Sequence, residues 1–108
     1  MIPSEIQRQL AELTAENSKG HEALYEAEVK LAEAEHTLDT VEAKAFIKHQ
    51  GTVADRTALA RLEAADARLQ RDLRKAEANR IRVKIKSLET AIMSLGTQTK
   101  LIQSELKI

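Results

Sequence analysis

The chain has 108 residues, a formal net charge of zero, 31% charged residues and 2% aromatic residues. One Tyr, one Phe and no Trp cannot fill the thick centre of a compact globule. A composition led by Ala, Leu, Glu, Lys and Arg suits a narrow seam between long helices instead. There is no Cys, which excludes disulfide and thiolate chemistry and fits a cytoplasmic protein.

The first residues, MIPSEIQRQL, lack the basic start and apolar run of a signal peptide. No apolar stretch approaches the ~20 residues that span a bilayer, so a soluble protein with no membrane role is expected. Ser4 ahead of Glu5-Ile6-Gln7 predicts a capping box, with Ser4 accepting from the backbone and Gln7 reaching back. From there Ile6, Leu10, Leu13, Asn17, Gly20, Leu24, Ala27, Leu31, Ala34, Leu38, Val41 and Ala45 follow alternating steps of four and three. A register held that long predicts a supercoiled helix over about 4–48, roughly 65–70 Å at 1.5 Å per residue. Its small residues allow close approach of a partner helix, and Asn17 trades stability for alignment.

His49-Gln50-Gly51-Thr52 is the sharp turn of the sequence, placed at 49–53. Gly51 suits a left-handed helix-ending conformation, and Thr52 reads as the N-cap of the next helix with Asp55 in its first turn. So short a connection sets the two helices antiparallel. The charges agree with that. Residues 1–50 carry ten acids and five Lys/Arg, while residues 51–108 carry seven acids and twelve Lys/Arg.

The second helix, expected over about 54–106, shows two apolar stripes. Leu59, Leu62, Asp66, Leu69, Leu73 and Ala76 form one; Ile81, Ile85, Leu88, Ile92, Leu95, Thr99, Ile102 and Leu106 form the other. At 100° per residue the stripes are rotated by roughly 100°, far more than the ~20° per heptad of ordinary drift. If the leucine stripe meets the first helix, either the hairpin twists near Ile81 or Ile81, Ile85, Leu88, Ile92, Leu95, Ile102 and Leu106 are left to contact another chain. The latter predicts a homo-oligomer. Gly96 is expected as a soft point within one continuous helix.

The chemistry expected is that of a non-enzyme with no cofactor. His21, His36 and His49 stand too far apart along one helix to share a metal. Glu26, Glu28, Glu33, Glu35, Asp39 and Glu42 spread around a helix, with no glycine-containing calcium loop. No phosphate-binding glycine loop, nucleophile elbow or zinc-protease motif is present, and two paired helices offer no pocket to desolvate a carboxylate. One polar pattern stands out. Arg61, Arg68, Lys75 and Arg82 recur every seven residues, with Arg71 and Lys86 on the same side, all within about 80° of the wheel and opposite the Leu59–Leu73 stripe. Such a row either follows a nucleic-acid backbone or forms a solvated outer face. Tyr25 and Phe46 make a weak base-stacking platform.

Ala43-Lys44-Ala45-Phe46, then Gly51-Thr52-Val53-Ala54-Asp55-Arg56, then a basic helix ending Ser94-Leu95-Gly96 and Gln103-Ser104-Glu105-Leu106, resembles small phage-encoded helical hairpins. Some of these are similar to the UvsY class of recombination mediators. The resemblance covers about residues 23–108. It implies an oligomer in the host cytoplasm that binds single-stranded DNA through Arg61, Arg68, Arg71, Lys75, Arg82 and Lys86 and assists a RecA-like recombinase. Zero net charge departs from that pattern. Without the resemblance, the sequence supports a protein-interaction module: an anti-defence inhibitor, a coiled-coil adaptor or a structural accessory. Both readings share one expected fold: all-α, a single-domain, long antiparallel coiled-coil helical hairpin over 1–108 that oligomerises.

Overall fold

The computed structural model describes the backbone of residues 3–106 and the side chains of residues 3–105. These residues form three α-helices: α1 Ser4–Lys48, α2 Val53–Glu63 and α3 Ala65–Leu106. No strand occurs among them. No helix among the described residues is long and apolar enough to cross a membrane. They group into two compact units: residues up to Leu24 together with those from Arg80 onward, and Tyr25–Asn79.

α1 has the bounds its heptads predict. All twelve seam positions from Ile6 to Ala45 are buried or half-buried, with Ala27, Leu38 and Ala45 the most covered. Its start differs from the expected capping box. Gln7 N–H donates to the Pro3 carbonyl at 3.1 Å, so Pro3 opens the ladder and Ser4 is already the first helical residue. Asn17 fills its seam position at a cost, because its amide oxygen is buried and accepts no hydrogen bond.

Within the Tyr25–Asn79 unit the chain reverses at residues 49–52. Gly51 has φ +121°, a conformation L side chains rarely adopt. Thr52 follows as an N-cap at φ −68°, ψ 162°, its hydroxyl accepting from Asp55 N–H at 3.1 Å. Contacts then step away from the turn on both sides. Lys48 Nζ lies 3.2 Å from Glu63, and the Arg68 guanidinium 3.6 Å from Glu42. Phe46 is covered by Arg56, whose guanidinium lies 4.1 Å from the ring centroid and donates to the Phe46 carbonyl.

Where one helix is expected over 54–106, there are two. Ala64 separates them with φ −89° and ψ 5°, and its N–H points to the carbonyls of Ala60 and Leu62. Arg68 bridges the break twice. Its N–H donates to the Ala64 carbonyl at 2.9 Å, and its guanidinium to the Arg61 carbonyl at 3.4 Å. Gly96 interrupts nothing, since α3 runs through it.

The larger correction concerns which face of α2 and α3 is buried. Ala60, Ala64, Ala78 and Ile85 are buried; Ala67, Arg71, Arg74, Ile81, Leu88, Ile92, Leu95, Thr99 and Ile102 are half-buried. Together they make one unbroken series of four- and three-residue steps. The Ile81–Ile102 stripe therefore continues toward the turn through alanines and two arginines, not through leucines. Leu59, Leu62, Leu69 and Leu73 are 38%, 73%, 55% and 54% exposed. In the other unit a side chain added at Gly20 would place its Cβ 3.0 Å from Ile85 Cγ1. A side chain at position 20 would require Ile85 to give by a few tenths of an ångström.

Gly51→Val should destabilise the fold by about 1 kcal/mol or more, because a β-branched residue cannot hold φ +121° without strain. Urea unfolding followed by circular dichroism measures it. An unchanged midpoint would mean that the turn does not need its glycine.

Candidate functional site

The residues proposed from sequence for another chain are placed against their own. Ile85 is 6% exposed, and Ile81, Leu88, Ile92, Leu95 and Ile102 are half-buried. The side chain of Leu106 lies outside the described residues. Ile81 to Ile102 thus form the covered face of α3 within a single chain. α3 runs without interruption from Ala65 to Leu106, so the covered Ile81–Ile102 positions and the covered Ala67, Arg71, Arg74 and Ala78 before them share one face of it.

The basic row fares differently at different positions. Arg61, Arg68, Arg71 and Lys75 belong to the Tyr25–Asn79 unit, Arg82 and Lys86 to the other. Arg68 and Arg71 are half-buried. Arg68 faces Glu42, and Arg71 Nε donates to Asp72 at 2.7 Å. Arg61, Lys75, Arg82 and Lys86 are exposed, and Arg82 is engaged by its surroundings. With the buried register as reference, Arg61, Arg68, Lys75 and Arg82 flank the seam. Glu28, Glu35 and Glu42 do the same on α1 with the same seven-residue spacing. In a helix pair these flanking rows are where complementary charges meet. The row thus lies beside the contact and not on the far side of the helix.

The exposed leucines form a surface, although their spacing and hydropathy predict a core stripe. At 100° per residue Leu59, Leu62, Asp66, Leu69, Leu73 and Ala76 share a stripe roughly opposite the buried seam. All six are exposed. On its flanks lie Glu63, Gln70 and Glu77 on one side and Ala58, Ala65 and Asp72 on the other. Spacing alone could find the stripe but could not show that it faces outward. That follows only once Ala60, Ala64 and Ala78 are seen buried.

Near the turn, Glu63 meets His49 Nε2 at 2.5 Å and Lys48 Nζ at 3.2 Å. Hydrogen bonds from His49 and then from Lys48 hold its carboxyl below the usual range. His49 is the half-buried member, with a side chain 23% exposed. An open groove of about 490 Å³ beside the turn is lined by Asp39, Glu42, Ala43, Phe46, Ile47, Thr57 and Ala60. No group of three or more His, Cys, Asp or Glu that could hold a metal occurs among the described residues. His21 instead lies 3.8 Å from Glu89. Of the two aromatic rings, Tyr25 is 70% exposed and Phe46 is covered by Arg56.

No family model matches the chain, and no curated protein or solved structure matches it either.

Because the Glu63 pKa is depressed on folding, its stabilising effect is present above the ordinary carboxylate range and is lost as pH falls through the folded value. Glu63→Gln should flatten this acid limb in the pH dependence of the thermal midpoint. An identical limb in wild type and variant would show that the His49–Glu63–Lys48 cluster does not couple to folding.

Proposed function

We propose that the chain is a non-enzymatic protein-interaction module: an antiparallel coiled-coil hairpin that docks through the leucine face of α2 and α3. The stepwise contacts Lys48–Glu63 and Glu42–Arg68, the single buried register and the turn at Gly51 support the antiparallel pairing. The observation that carries the function is the exposure of Leu59, Leu62, Leu69 and Leu73 at heptad spacing on one face. Scattered exposed leucines need no explanation, but a contiguous apolar stripe of a length that pairs with a helix is an interaction surface.

The recombination-mediator reading keeps one supporting observation. Arg61, Lys75 and Lys86 are exposed cations. Against it, Arg68 and Arg71 are half-buried beside carboxylates, so fewer charges can reach phosphates than the sequence suggests.

The two readings separate with two variants. Leu62→Ser with Leu69→Ser should leave helicity and thermal midpoint nearly unchanged, within about 0.5 kcal/mol, as expected for exposed sites. It should abolish retention of protein partners from the native cell extract. Arg61→Ala, Lys75→Ala and Lys86→Ala together should leave that retention intact. Fluorescent single-stranded oligonucleotide titrated at low salt should show no binding that this triple substitution removes. Salt-sensitive oligonucleotide binding lost in the triple variant, with partner retention unaffected by the serine pair, would favour the DNA-binding reading instead.

A further inference from the structure

The charge pattern around the leucine face indicates what kind of helix covers it. This inference rests on the interaction-module reading and specifies the partner. Between residues 58 and 79 every charged residue within or beside the leucine stripe is acidic: Glu63, Asp66, Asp72 and Glu77. The bases of the same stretch, Arg61, Arg68, Arg71, Arg74 and Lys75, lie in the buried seam or on its flank. The acids at the rim are partly balanced from that side. Glu63 meets Lys48 and His49, Asp72 meets Arg71, and Glu77 lies 3.7 Å from Arg74. Asp66 is different. It sits exposed in the middle of the stripe, between Leu62 and Leu69, where any covering helix must place a residue opposite it.

A second copy of the chain is a poor fit. Paired antiparallel through this stripe, Asp66 would face Leu62 or Leu69 of the second copy. The register that covers all six positions also sets Glu63 against Glu77. Paired parallel and in register, Asp66 would face Asp66. Each arrangement strands a carboxylate in an apolar seam or opposes like charges, and both cost free energy.

We propose that the occupant is an amphipathic α-helix of another protein, with an apolar seam of about five turns, basic flanks and a Lys or Arg opposite Asp66. Leu59, Leu62, Leu69 and Leu73 supply the apolar contact. Asp66 selects the register and excludes helices without a cation at that position. A single polar residue within a seam has this role in coiled-coil pairing. The rim acids Glu63, Asp72 and Glu77 favour basic over acidic flanks.

The test uses the full chain and two fluorescent synthetic helices of three heptads with the same leucine seam. One has Lys flanks and an Arg facing Asp66; the other has Glu at all of these positions. Fluorescence anisotropy should show the basic helix binding at least roughly tenfold tighter than the acidic one, with the difference shrinking in high salt. Asp66→Lys should reduce or invert the preference, and Leu62→Ser with Leu69→Ser should abolish binding of both helices. Circular dichroism of each variant checks that the fold is retained. Equal binding of the two helices, or no effect of Asp66→Lys, while the serine pair still abolishes binding, would overturn the assigned partner chemistry and leave the docking face standing. Binding that survives the serine pair, or no binding by wild type, would overturn both. A dimer in sedimentation that Leu69→Ser dissolves would assign the face to a second copy and overturn the inference.

Discussion

The structure depends on which side chains are small enough to be buried along the covered face of each helix. In the Tyr25–Asn79 unit the buried positions are Ala27, Leu38 and Ala45 on α1 and Ala60, Ala64 and Ala78 on α2, the break and α3. Five of these six residues are alanine, so apolar area is buried without a thick core. Elsewhere Gly20 has the same effect for Ile85. Two helices bury one stripe each, and any second apolar stripe is left to solvent or to a partner. The outward position of Leu59, Leu62, Leu69 and Leu73 is thus a consequence of which residues are small enough to sit inside.

Electrostatics then sorts the polar residues around that seam. The acidic first half of the chain and the basic second half each place a heptad-spaced row beside it, and Glu42 with Arg68 is one contact between them. This arrangement draws cations toward the helix pair that would otherwise be available to a polyanion. Near the turn, Lys48, His49 and Glu63 join the end of α1 to the end of α2, one residue before the irregular Ala64. These surface pairs add little stability individually. Their effect is on direction and register.

Much of the fold is legible in the sequence because its signals are local. The bounds of α1, the turn, the positive φ of Gly51 and the Thr52 cap follow from nearby residues and short-range sterics. The buried face of α2 and α3 does not. Hydropathy ranks Leu59, Leu62, Leu69 and Leu73 above Ala60, Ala64, Ala67 and Ala78, although the closeness of the partner helix favours the alanines. Once the leucines are taken as core, Ile81–Ile102 is left over for another chain and the basic row moves to the far side of the helix. Correcting the register changes both assignments together. The break at Ala64 carries no Gly or Pro to mark it; it shows only in the backbone, at φ −89° and ψ 5°.

Between residues 59 and 78 alanine rather than leucine faces inward, and the absence of native cysteine makes this directly measurable. Single cysteines at Leu62, Leu69, Ala64 and Ala78 can be reacted with a thiol reagent under native conditions and compared with the unfolded chain. Exposure decides the rate at which a thiol in a folded helix reacts. The account predicts fast, nearly unfolded-like labelling for Leu62→Cys and Leu69→Cys and strong protection for Ala64→Cys and Ala78→Cys. Protection at Leu62 and Leu69 with free reaction at Ala64 and Ala78 would contradict it.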